Sequence, residues 1–149
     1  MVDFLVIGPV LNVTYKNVFH LIKYGDISFG WNKVVYFEDG VKFGNIRWFS
    51  NISDYYVPRL VLSKKYVEGE YKKYDHFDAI NIDRIEDIPY DYDGVMGVPV
   101  SFLDVWNPGQ FDVLRVSADW LDDKFNGLKS QYIDGKKIYT RLFIKRKVS

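Results

Sequence analysis

Apolar residues in this chain fall into short runs broken by glycine, proline and Asp-Gly pairs, with one helical stripe among them. Phe4-Leu5-Val6-Ile7 is a continuous apolar run closed by Gly8-Pro9, the pattern of a strand buried on both faces, as in a parallel sheet. Thr14 can cap a helix carrying Tyr15, Val18, Phe19, Leu21 and Ile22, with Gly25 as its left-handed stop. Ile27-Ser28-Phe29 and Val34-Val35-Tyr36-Phe37 read as strands, and Glu38-Asp39-Gly40 supplies hairpin turn chemistry before a further strand from Val41 to Phe49. Leu60-Val61-Leu62 predicts one more. Between Tyr66 and Tyr92 periodicity is weak apart from Ala79-Ile80-Asn81-Ile82, which predicts short strands and loops. Phe111 to Val116 and Ile138 to Ile144 alternate as strands, with a turn at Gly135 before the second.

Composition adds limits to this pattern. At 149 residues, with no internal repeat or low-complexity linker, residues 1–149 are expected to form a single domain with a sizeable core. Zero formal net charge argues against a broad electrostatic grip on a polyanion. The charge is unevenly placed, however. Glu68, Glu70, Asp75, Asp78, Asp83, Glu86, Asp87, Asp91 and Asp93 make the middle acidic, and Lys136, Lys137, Arg141, Lys145, Arg146 and Lys147 make the end basic. The absence of cysteine excludes disulfides and thiolate metal sites, and His20 and His76 are too distant in sequence to suggest a metal site. No apolar run is long enough to span a bilayer and no signal-peptide pattern opens the chain, so a cytoplasmic location without membrane contact is expected.

The candidate chemistry is sparse. Asp91 and Asp93 have the spacing of an acid/base pair, but their Tyr/Gly/Pro setting favours turn or capping roles. Lys42, Arg47, Trp48 and Asn51 combine an aromatic face for stacking on bases with side chains that reach phosphates or base edges. On a strand, Arg47 and Phe49 point one way and Trp48 the other. Lys145-Arg146-Lys147 reads as a solvated tail.

The most distinctive stretch is Tyr90-Asp91-Tyr92-Asp93-Gly94-Val95-Met96-Gly97-Val98-Pro99, followed by Phe102-Leu103-Asp104 and Asn107-Pro108-Gly109-Gln110-Phe111. It resembles a segment of the EcoRI-type adenine-specific DNA methyltransferases. The resemblance extends in order from Phe4-Leu5-Val6-Ile7-Gly8 through Phe43-Gly44-Asn45, Trp48-Phe49-Ser50-Asn51-Ile52 and Tyr74-Asp75-His76-Phe77-Asp78 to Ile144-Lys145-Arg146. It implies an α/β (or α+β) fold: the carboxyl-terminal part of a methyltransferase-like mixed sheet, with an inserted strand-rich region facing the DNA. The first strand would match the fifth strand of the family's central sheet, and the last two its closing antiparallel pair.

The resemblance also implies S-adenosylmethionine as cofactor and adenine in DNA as target of a complete enzyme. Two features of such an enzyme are missing from this sequence. One is the glycine-rich strand-to-helix turn that lets the backbone approach the cofactor. The other is the Asp/Asn-Pro-Pro-aromatic loop that holds a flipped adenine. Phe29-Gly30-Trp31 and Phe43-Gly44-Asn45 fall short of the first. Ile88-Pro89-Tyr90 and Asn107-Pro108-Gly109 lack the doubled proline of the second and read as ordinary turns.

No catalytic, cofactor-binding or metal-binding residue is therefore assigned to the chain itself. Asn12 would line the active site of a complete enzyme, and Lys42, Arg47, Trp48 and Asn51 are the candidate DNA contacts. Expected partners are DNA and either a missing catalytic half or a second copy of the chain, joined through the first strand. The alternatives are a non-catalytic nucleic-acid-binding module and a protein-interaction module.

Overall fold

The computed structural model describes residues 2–9, 12–13, 15–29, 34–36, 42–51, 57–117 and 131–148, which form two compact units, Met1–Tyr56 and Val57–Ser149. Thr14 and the Glu38-Asp39-Gly40 turn lie outside the described residues.

The amino-terminal unit is built around one long strand. β1 (Leu5–Pro9), β2 (Ser28–Phe29) and β3 (Val34–Tyr36) all pair antiparallel with β4 (Lys42–Ser50). The expectation of a first strand buried on both faces of a parallel sheet is thereby corrected. One edge of β1 is satisfied by β4, and Leu5, Val6 and Ile7 remain 58%, 49% and 41% exposed. A continuous apolar run specifies a strand with two apolar faces, but it does not supply the layers that would cover them.

Helix α1 (Lys16–Lys23) buries Phe19 and Ile22, which lie three apart on one face. Tyr15, at its N-cap, makes no capping bond through its side chain. The helix stops at Gly25 (φ 82°), where Asp26 N–H donates to Leu21 C=O (2.8 Å) and Gly25 N–H to Ile22 C=O (3.1 Å). These are the two reversed bonds of a left-handed helix stop, and glycine enters that region without a Cβ clash.

The carboxyl-terminal unit carries a mixed four-stranded sheet in the order β5 (Ile80–Asn81), β6 (Met96–Pro99), β10 (Arg141–Arg146), β7 (Phe111–Val116). β5 and β6 run parallel, and the other pairs are antiparallel. β7 and β10 pair antiparallel, as expected of the last two strands, with a bulge where Leu114 is the extra residue between two paired positions. β1, expected in the same sheet as this pair, belongs instead to the sheet built on β4. Phe102, Phe111, Phe143, Met96, Leu142 and Ile144 are fully buried around this sheet.

A separate hairpin, β8 (Tyr132–Ile133) and β9 (Lys136–Lys137), turns through Asp134 (φ 51°) and Gly135 (φ 74°). Both central residues have positive φ, as a tight Asp-Gly hairpin turn requires. The Asp75 carboxylate fastens the turn by accepting from Asp134 N–H (2.9 Å) and Gly135 N–H (2.7 Å). β10 begins three residues later than the alternation from Ile138 predicts. Ile138 N–H is committed to Gln131 C=O (2.8 Å), which extends the hairpin instead.

Candidate nucleic-acid interface

The sequence candidates in the amino-terminal unit divide between the two faces of β4. Gly8 lies opposite Arg47 and Val6 opposite Phe49, while Ile7 lies opposite Trp48. A Cβ on Gly8 would come within 2.9 Å of Asn12 Nδ2 and 3.3 Å of Phe49. Glycine at this position therefore lets Asn12 lie over the face that Arg47 and Phe49 share, and Trp48 with Ile7 takes the other. Arg47 is only 4% exposed, and its Nη1 donates to Ile46 C=O (3.2 Å). Trp48 is half-buried. Asn51 ties the start of the chain to the end of β4, accepting from Phe4 N–H (2.8 Å) and donating to Val2 C=O (3.0 Å). Lys42 opens β4 opposite Tyr36. The fold thus gathers Asn12 with Arg47 on one face and places Trp48 on the opposite one.

The distinctive stretch of the carboxyl-terminal unit builds structure at every position that can be followed. Asp91 accepts from Tyr66 N–H (2.7 Å), and the Tyr92 ring lies 4.6 Å from that of Tyr66. Asp93 accepts from Arg146 Nη2 (2.6 Å). Met96–Pro99 forms β6, between β5 and β10. A Cβ on Gly97 would lie 2.1 Å from Tyr74 Oη, so this glycine makes room for a buried tyrosine. The Tyr74 hydroxyl donates to Asn81 Oδ1 (2.7 Å), and burial holds its pKa well above the ordinary phenol value. Arg141 Nε reaches the same Asn81 oxygen (3.3 Å), while its Nη2 pairs with Asp83 (3.2 Å). Tyr74 is therefore a neutral hydrogen-bond donor fixed within a polar network.

Asn107-Pro108-Gly109-Gln110-Phe111 does more than turn the chain. Asn107 Oδ1 accepts from Gly109 N–H (2.8 Å), closing the turn, while its Nδ2 donates to Val57 C=O (2.6 Å). The Gln110 carboxamide accepts from Leu60 N–H (2.7 Å) and donates to Leu60 C=O (2.8 Å). One side chain thus occupies the place of a neighbouring strand. This corrects the prediction of a strand over Leu60-Val61-Leu62: the segment is clamped by side chains without a strand ladder, and Val61 is 95% exposed. Arg59 Nη1 donates to Gly109 C=O (3.1 Å), completing the clamp.

These contacts frame an open cleft of about 310 Å³ lined by Arg59, Leu60, Leu62, Tyr90, Gln110, Arg146, Lys147 and Val148. Sequence reasoning missed it, because its walls come from segments some 50 residues apart. The basic end is also not a free solvated tail. Arg146 closes β10, donates to Tyr90 C=O and pairs with Asp93, and Lys147 pairs with Asp112 (3.3 Å). Among the described residues no group of carboxylates and histidines is arranged to hold a metal, and no helix is long and apolar enough to cross a membrane.

Comparison with known proteins gives a consistent result. A family model described as adenine-specific methyltransferase EcoRI matches residues 32–147. The Escherichia coli protein named Type II methyltransferase M.EcoRI is 35% identical over 97% of this chain and 50% of its own length. Two mycoplasma proteins, Type II methyltransferase M.MgeORF184P of Mycoplasma genitalium and M.MpnI of Mycoplasma pneumoniae, are each 31% identical over 97% of this chain and 57% of theirs. The chain therefore spans about half the length of the curated relatives it matches. No solved structure gives a significant match.

Proposed function

The chain belongs to the EcoRI-type family of adenine-specific methyltransferases, and on that premise we propose that it is the DNA-facing, post-catalytic part of a site-specific adenine-N6 methyltransferase in a restriction-modification system. The observation that carries this reading is the near-complete alignment of the chain to about half of each relative, in a sequence holding neither the glycine-rich turn nor a Pro-Pro pair. In the complete enzyme S-adenosylmethionine supplies the methyl group for the adenine amine. The residues here position DNA and support the sheet: Asn12 lines the active site and Lys42 and Trp48 contact nucleic acid, while the buried Arg47 and the Asn51 tie to Phe4 and Val2 support them from within the unit.

The isolated chain is accordingly inactive. Incubated with labelled S-adenosylmethionine and duplex DNA it transfers no methyl group, and isothermal titration detects no cofactor binding. Micromolar affinity would overturn this, because it requires about 8 kcal/mol of organised contacts.

The exposed apolar residues of β1 support a place for the catalytic half. β4 satisfies one edge of β1, and Leu5, Val6 and Ile7 are too apolar for a strand edge meant for water. A strand from the catalytic half takes the other edge in the complete enzyme, and in isolation a second copy of β1 does so. Sedimentation should then show a dimer that Val6→Lys converts to monomer. A stable wild-type monomer with fast amide exchange from Leu5 to Gly8 would rule out this pairing.

A further inference from the structure

We propose that the cleft between Arg59 and the end of β10 is a seat for one phosphodiester of the DNA backbone, an inference that rests on the DNA-binding reading above. Arg59, Arg146 and Lys147 line it, with Leu60 and Tyr90 as apolar and aromatic walls. Asp93 and Asp112 compensate Arg146 and Lys147. Among the described residues no carboxylate pairs with Arg59, whose Nη1 is held by the Gly109 carbonyl. Among the described lining residues one positive charge is therefore left without a carboxylate, on a guanidinium anchored at one nitrogen. Arg146 shapes the cleft wall, its two terminal nitrogens being taken by Tyr90 C=O and Asp93.

A phosphate answers the remaining donors of Arg59, since guanidinium groups meet phosphate oxygens through parallel N–H bonds. A backbone phosphate is favoured over a free one by the shape of the site. The cleft is open, and its apolar walls of Leu60, Leu62 and Tyr90 suit a deoxyribose running past the charge. Such contacts fix the register of a protein on DNA without reading sequence. The residues that build the cleft are those on which the family resemblance rests: Tyr90 to Asp93 set Arg146, and Asn107 to Gln110 set Arg59 and Leu60.

The test is fluorescence anisotropy of the full chain with a labelled duplex at several sodium chloride concentrations. Arg59→Ala should weaken binding by roughly three- to tenfold and lower the slope of log affinity against log salt by roughly one. Arg59→Lys should keep the slope, and Lys136→Ala, on the β8–β9 hairpin, should change neither quantity. Thermal melting of each variant shows that the fold is intact. DNA binding with an unchanged slope in Arg59→Ala would overturn the cleft and leave the DNA reading standing. No binding by the wild-type chain even at low salt would overturn both. Displacement of DNA by inorganic phosphate at matched ionic strength would assign the cleft to a free anion and overturn the backbone assignment.

Discussion

Replacing Gly97 with alanine should cost about 2–4 kcal/mol of stability, enough to lower the melting temperature by roughly 10 °C. The added methyl would lie 2.1 Å from Tyr74 Oη and 2.6 Å from its Cζ, well inside contact distance. The ring cannot simply swing aside. Tyr74 is buried, packs edge-on against Phe143 at 5.1 Å, and holds Asn81 through its hydroxyl. Either β6 moves, which disturbs its pairing with β5 and β10, or the tyrosine leaves and takes its hydrogen bond with it. A double-mutant cycle separates the cause from a general dislike of side chains in β6. In a Tyr74→Leu background the same alanine should cost far less. Equal cost in both backgrounds would show that the tyrosine is not what requires the glycine.

The second large effect is expected at Gln110. Gln110→Ala removes both partners of Leu60 at once and should cost about 2 kcal/mol, since each bond contributes about 1 kcal/mol and the segment is only partly reached by water. Gln110→Glu is more diagnostic. The carboxylate keeps the acceptor for Leu60 N–H but sets a negative oxygen against Leu60 C=O. At pH 7 this variant should be at least as unstable as the alanine one. Facing that carbonyl raises the pKa of the new carboxyl in the folded state. The protonated form, which can donate, then restores stability as the pH falls through that raised value, and the gain is complete once the pH reaches the ordinary glutamate range. Denaturant unfolding at pH 7 and pH 4 measures the difference. An alanine variant as stable as wild type would mean that the segment is held by Asn107 and Arg59 instead.

The elements legible in the sequence were those with local causes. Phe111 to Val116 alternates because one face packs on the core, and Gly25 and Gly135 announced their turns through the only residue type at ease there. The β4 strand and the separation of Arg47 from Trp48 likewise follow from a period of two. What the sequence hid was long-range. The bond from Leu60 to Gln110 joins residues 50 apart, and that from Arg146 to Asp93 residues 53 apart. No periodicity records such pairings, so Leu60-Val61-Leu62 looked like a strand and Lys145-Arg146-Lys147 like a tail. Gly97 is similar: its necessity is written in Tyr74, on a different segment. The exposure of β1 was hidden for another reason. Apolarity records a tendency to be covered, and does not say whether a layer is there to cover it.

The Gln110 carboxamide has a consequence for motion as well as for strength. A strand in a ladder comes away only by unzipping its neighbours, whereas Leu60 is held through both backbone groups by a single side chain. One rotamer change at Gln110 releases them together and leaves β7 and β10 intact. Hydrogen exchange at the Leu60 amide should therefore follow a small local opening, while the Phe143 amide waits for the whole sheet. Arg59 is the next residue along, so its guanidinium rides on this hinge.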